Sequence, residues 1–210
     1  MSTVRAPAEQ RVVLRIVSWN TYLALVAEDS RPGNRICYNQ GVMENMSPGM
    51  LHGNAASLIG RMIEIFSMER NIRIRSADST TFKRDDLERG FEADRSYYLE
   101  NLDSILDKDI IDLSIDPPPD LAIEVDISRS SFGKFAIYGS IGVGEVWRYD
   151  GQDITVYRLL ESGEYETAKA SVSLKNFPLQ EASKLLDQRH DMDDNALIRL
   201  FLSHVQEQQN

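Results

Sequence analysis

Alternation of apolar and polar positions marks one stretch of the chain more sharply than any other. From Asp116 to Asp126 it reads Asp-Pro-Pro-Pro-Asp-Leu-Ala-Ile-Glu-Val-Asp. Successive prolines lack backbone donors and have a fixed φ, so they cannot sit inside a helix or a central strand, and a strand starts after them. Leu121, Ile123, Val125 and Ile127 then point one way, and Asp120, Ala122, Glu124 and Asp126 the other, because strand side chains alternate. The first set suits packing on a helical layer. The second carries three carboxylates that repel one another. Either they are solvated at a sheet edge or, if buried, they need cations, a metal ion or shifted pKa values.

The remaining pattern supplies the elements around this strand. Residues 1 to about 11 read as frayed. Ser18 is a helix N-cap before Trp19, Tyr22, Leu23 and Val26, which predicts a helix over about 18–29. Arg35 to Asn39 and Val42 to Met46 read as a hairpin around Gln40-Gly41. Ala55, Leu58, Ile59, Met62, Ile63 and Phe66 form an apolar stripe, predicting a long helix from about His52 to Arg70. Ile72 and Ile74 alternate with Arg73 and Arg75 as a strand start, Ser76 to Gly90 reads as strand end plus loop, and Phe91 to Asn101 as a strand. Leu102 to Ile115 reads as a loop or short helix. After the Asp120 strand, Ser128 to Ser131 signals a helix start, with Phe132, Phe135 and Ala136 on its packing side. Strands follow at 145–149 and 154–159 around Asp150-Gly151, and another from Tyr165 to Ala168. Leu197, Ile198, Phe201, Leu202 and Val205 place a terminal helix over about 194–208. The order implies a mixed sheet covered by helices, in one domain over 1–210 with its core at about 35–160.

Composition narrows the choices. With 210 residues, 42% apolar and 27% charged, the chain can bury a full core. The formal net charge of −10 opposes non-specific nucleic-acid binding and leaves room only for a local basic groove. Arg73, Arg75, Lys83, Arg84, Arg89, Arg129 and Lys134 are the residues that could form one. A single cysteine, Cys37, excludes an internal disulfide and a multi-cysteine metal site. No apolar run approaches the ~20 residues of a membrane span. The segment MSTVRAPAEQ has no apolar signal core, which makes the cytoplasm the expected location.

If the Asp94 and Asp120 strands are antiparallel neighbours, Asp94 lies beside the far end of the second, near Glu124 and Asp126. Asp120 is then roughly 13 Å of strand away from Glu124. Asp94 and Glu124 can share one ion, whereas Asp120 and Glu124 cannot easily do so. Carboxylates from two adjacent strands suit Mg²⁺, which prefers oxygen ligands and keeps several waters.

These residues carry a resemblance. The segments are Tyr38 to Pro48 with His52, Ser79 to Gly90 leading to Ala93-Asp94, Pro119 to Asp126, Lys134 with Tyr138, and Gly142 to Asp150. Together they are similar to the PD-(D/E)XK nuclease superfamily, and within it to a large bacterial family of restriction-endonuclease-like proteins whose lysine comes from the following helix. The resemblance implies an α/β fold, a mixed central sheet flanked by helices. It implies that Asp94 is the acid opening the second core strand, that Glu124 is the (D/E) acid on the third, and that Lys134 is the lysine. Glu44 and His52 match family positions near the first core helix. Asp120 is a further catalytic candidate and also suits the turn after Pro119. Asp126 stands in the usual lysine place, Ala93 replaces the motif's proline, and Gly53 stands where relatives often have an acid. The implied activity is Mg²⁺-dependent (or Mn²⁺-dependent) endonucleolytic hydrolysis of DNA by a homodimer, because cutting both strands commonly needs two sites. A catalytically inactive relative, serving as an interaction or nucleic-acid-binding module, is the alternative.

Overall fold

The computed structural model describes residues 9–27, 33–127 and 133–208. Its first sheet grows from the hairpin. Strands β2 (Arg35–Asn39) and β3 (Val42–Pro48) are joined by Gln40 and Gly41, both at positive φ, as a two-residue turn requires. The stretch expected to fray is in part strand β1 (Glu9–Arg15), paired antiparallel along β3 from Glu9↔Pro48 to Arg15↔Val42. Its Val12-Val13-Leu14 run does not alternate with polar residues, so periodicity could not reveal it. Helix α1 (Trp19–Ala27) follows the Ser18 cap, whose Oγ accepts from Thr21 N at 3.1 Å. Its Tyr22 packs with Ile36, Tyr38 and Met43 of the hairpin.

Helix α2 (Met50–Glu69) begins two residues earlier than the stripe indicated and buries that stripe completely. The predicted strand at Ile72 is only β4 (Arg75–Ser76). The 76–90 stretch is not plain loop: it holds β5 (Phe82–Arg84) and the start of β6 (Arg89–Phe91), joined by a 3-10 turn. The single strand expected over 91–101 is divided. β6 belongs to the first sheet and β7 (Arg95–Tyr98) to the second. The break falls where Glu92 turns its carboxylate to Ile36 N, at 2.9 Å, and Asp94 turns its own to Val125 N, at 2.8 Å.

The organising strand is β8 (Leu121–Val125), followed by α3 (Lys134–Ile141), β9 (Glu145–Tyr149), β10 (Ile154–Leu159) and β11 (Tyr165–Ala168). The Ser128–Ser131 start signal and Phe132 lie outside the described residues. Helix α4 (Leu179–Asp187), which the pattern did not indicate, precedes the terminal helix α5 (Asp194–Glu207). The first sheet runs β1-β3-β2-β6-β5, and the second runs β11-β10-β9-β8-β7-β4. The second sheet is mixed: β8 and β9 are parallel across the α3 crossover, and the other pairs are antiparallel.

β8 is therefore an interior strand, not an edge, and every residue in it is buried. Leu121, Ile123 and Val125 pack with Trp147 and the α2, α4 and α5 helices. Ala122 faces the other way, among Ile137, Tyr138, Phe91 and Val146. Each large aliphatic side chain so buried contributes about 1.5–3 kcal/mol. Because the acidic face of β8 looks into the layer between the two sheets, its charges cannot be left to solvent.

Candidate active site

Register brings the acids together. β7 and β8 pair with Arg95 opposite Ile123, so Asp94 falls beside the Glu124–Val125 end of β8. Asp94 Oδ2 accepts from Val125 N, and His52 Nε2, from the first turn of α2, stands 2.8 Å from Asp94 Oδ1. That second contact is poorly aligned for a hydrogen bond, so its attraction is chiefly ionic. The other ring nitrogen, Nδ1, lies 2.5 Å from Glu9 Oε2 on β1. Two carboxylates thus clamp one imidazole. Burial works against its charge, but Asp94 and Glu9 outweigh burial and hold its pKa up at about 9.

Glu124 is 5% exposed and occupied on both oxygens. Lys134 Nζ donates to Oε2 at 2.5 Å, and the Tyr138 hydroxyl, one turn further along α3, donates to Oε1. Burial pushes the Glu124 carboxyl up, and neighbouring Asp94 adds to this; Lys134 opposes it. Burial penalises the Lys134 ammonium too, yet Glu124 and Asp94 overcome that and raise its pKa. Asp94 moves the other way: burial works to raise it, but His52, Lys134 and the Val125 N–H hold it below the ordinary carboxylate range. Tyr138 is raised by burial and by Glu124, so it stays a donor. The buried Cys37 thiol is pushed up to about 12, chiefly by desolvation.

Asp126 takes no part in this pair of contacts. One of its oxygens lies 3.3 Å from Arg11 on β1, and the other lies 3.6 Å from Arg148 on β9. Arg11 also bonds Glu44 on β3 at 2.9 Å and Glu9 at 2.9 Å. A carboxylate in the motif's usual lysine place is therefore matched by two guanidinium groups, while the ammonium comes from α3.

Of the residues singled out from sequence, Glu44, His52, Asp94, Glu124, Asp126 and Lys134 meet in this buried layer. Asp120 does not. It sits at the opposite end of β8, accepting from Leu99 N at 2.6 Å, Asn101 N at 3.0 Å and Asn101 Nδ2 at 2.6 Å. Glu9, Arg11 and Arg148 were missed. Glu9 and Arg11 are two apart, hence on one face of a strand, but β1 itself was not recognised; Arg148 lies opposite Glu124 across the β8–β9 ladder. Of the basic residues expected to form a groove, Lys134 lies in this layer, and the other described ones have partners elsewhere, Lys83 standing 3.9 Å from Asp85. Arg73 pairs with Asp103, Arg75 bonds the Leu106 and Lys108 carbonyls, Arg84 pairs with Asp86, and Arg89 bonds Asn39. Arg129 lies outside the described residues. A hollow of 740 Å³ beside Trp19 and the 85–88 turn contains none of the clustered groups.

The family Uma2, described as "Putative restriction endonuclease", matches residues 19–187. The chain belongs to this family. Glu9 and Arg11 precede the part that matches the Uma2 family, so β1 brings its two charges into the cluster from outside it. A solved structure from Anabaena variabilis ATCC 29413, described as "a putative nuclease belonging to DUF820", is similar in fold. It is 17% identical, its TM-score is 0.53, and the match covers 89% of this chain and 99% of that one. No curated protein matches the chain.

Among the described residues, no three of the His, Cys, Asp and Glu side chains are grouped so as to hold a metal ion. Asp94, just before β7, and Glu124 on β8 are the residues that would hold a Mg²⁺ ion, which commonly takes one or two carboxylates and completes its shell with water and substrate phosphate. Asp94 Oδ2 and both Glu124 oxygens each accept one hydrogen bond and keep a second lone pair. No helix among the described residues is long and apolar enough to cross a membrane.

Proposed function

We propose that the chain is a Mg²⁺-dependent DNA endonuclease that hydrolyses phosphodiester bonds as a cytoplasmic homodimer. The observation that carries this reading is the meeting of Asp94 and Glu124 across β7 and β8, with Lys134 on Glu124. Asp94 and Glu124 would hold the ion, which supplies charge stabilisation for the phosphate and a more acidic bound water. Lys134 stays protonated in its acidic surroundings, so it acts as a donor and not as a base. It orients the attacking water or stabilises the negative charge that develops on the phosphate. Tyr138 holds Glu124 in place through its hydroxyl. His52 and Glu9 do the same for Asp94, as a carboxylate–imidazole–carboxylate chain.

The test is cleavage of plasmid and short duplex DNA with Mg²⁺ or Mn²⁺, with EDTA as the metal-free control. Metal-dependent cutting that is lost in Glu124→Ala and in Lys134→Ala supports the assignment. A second reading, a non-catalytic relative that binds DNA or protein, draws on Asp126 in the lysine place and on basic side chains that pair with local acids. No cutting by wild type, together with no Mg²⁺ binding by calorimetry, would favour it.

A further inference from the structure

A cavity of 270 Å³ opens beside the acidic cluster and shares His52 and Asp94 with it. The remaining wall includes Arg35 at the start of β2, Gly53 in the first turn of α2, Ser79, and Arg95 at the head of β7. We infer that this cavity receives the backbone phosphate of the nucleotide adjoining the one cleaved, bound by Arg35 and Arg95. The inference rests on the nuclease reading above and adds to it a subsite for the neighbouring nucleotide.

Arg35 is the first reason. Arg73, Arg84 and Arg158 each pair with a nearby acid. Arg35 has no carboxylate partner among the described residues. Its Nη1 donates to Gly33 O at 3.3 Å, and its Nε is buried without a hydrogen-bond partner. A guanidinium fork with a spare donor matches a phosphate in geometry as well as charge. Arg95 is the second. Asp78 anchors it through Nη1, and α2 comes so near that a Cβ on Gly60 would lie 3.0 Å from the guanidinium. It is held in place before any ligand arrives.

Charge and size agree. In a chain of formal net charge −10, the cavity wall sets two guanidinium groups, Arg35 and Arg95, beside Asp78 and Asp94, with Asp78 bonded to Arg95 and Arg35 left without a carboxylate among the described residues. Its volume is below the roughly 300–1,000 Å³ of pockets for drug-sized ligands, so it suits a small group such as a phosphate with its sugar. Gly53 borders open space, since a Cβ there would meet nothing within 4 Å.

Gly53 also supplies a clean test. An aspartate there enters free space in the first turn of α2, where the helix dipole favours an acid, so the fold tolerates it while the cavity gains a negative charge. Fluorescence-polarisation titrations of short duplex and single-stranded DNA in EDTA, over a range of salt, would compare wild type with Arg35→Gln, Gly53→Asp and Gly53→Ala. Arg35→Gln and Gly53→Asp are each expected to weaken binding about tenfold. Arg35→Gln should also lower the salt slope by about one. Gly53→Ala should bind as wild type. Wild-type affinity and slope in both charge-altering variants, or no binding by wild type at low salt, would overturn the cavity assignment. Cleavage dependent on Glu124 with DNA affinity indifferent to Arg35 would sink the cavity and leave the nuclease standing. Binding dependent on Arg35 without metal-dependent cleavage would do the reverse.

Discussion

Asp120 and Glu124 stand at opposite ends of β8 on the same face, yet their surroundings differ in kind. Asp120 is bonded by two backbone N–H groups and one amide of the 99–101 turn. All are neutral and fixed, and they come from residues 19–21 positions earlier, so Asp120 ties the start of β8 to the 99–101 turn. Glu124 is bonded by an ammonium and a phenol from the crossover helix, with a second carboxylate from the neighbouring strand acting on it. The first arrangement completes a carboxylate's hydrogen bonding and holds a loop. The second concentrates opposed charges in a buried layer, which is costly unless every partner stays in place. Both ends carry a carboxylate on the same face, so the chemistry is decided by which elements meet each end.

The largest expected effect separates the two ends by activity. Glu124→Ala should lower metal-dependent cleavage by about 10³-fold or more, whereas Asp120→Ala should leave the turnover of the folded protein near wild type. Equal losses in both variants would erase the contrast. Next comes the support for the Glu124 end. Arg11→Met strips one cation from Glu9, Glu44 and Asp126 together, and should cost about 3 kcal/mol in urea unfolding. A negligible change would mean that β1 merely lies over the cluster. Asp120→Ala leaves the Leu99 and Asn101 amides without their acceptor, and should cost about 1–3 kcal/mol by the same measurement.

A further contrast is a pH dependence in EDTA. The His52 pKa is raised on folding from its ordinary 6.5 to about 9. Its contribution to stability is therefore fully present below about 6.5 and is lost as pH rises through about 9. Urea midpoints should fall across that window, and His52→Gln should flatten that part of the profile. An unchanged slope in the variant would show that His52 is not the group responsible.

Much of this was legible along the chain. The hairpin, α2, α5 and β8 are local patterns: a turn whose residues accept positive φ, a stripe at helical spacing, strict alternation after three prolines. Backbone geometry alone ties such patterns to structure. The residues of the motif segments could likewise be picked out, and six of the candidates do lie in one buried layer. Other features depended on partners distant in sequence. β1 exists because β3 offers it an edge, and the 91–101 stretch divides because Glu92 and Asp94 bond to strands of different sheets.

Periodicity thus determined the hairpin, α2, α5 and β8 with their inward faces, and the family resemblance picked out Asp94, Glu124 and Lys134. Only the tertiary structure decided that β8 is interior, that Asp120 serves a turn, and that Glu9, Arg11 and Arg148 join the cluster. The reason is physical. Side-chain direction follows from local backbone geometry. The cost of burying a charge, and which opposite charge offsets it, depends on distances between segments that only the packed sheets bring together.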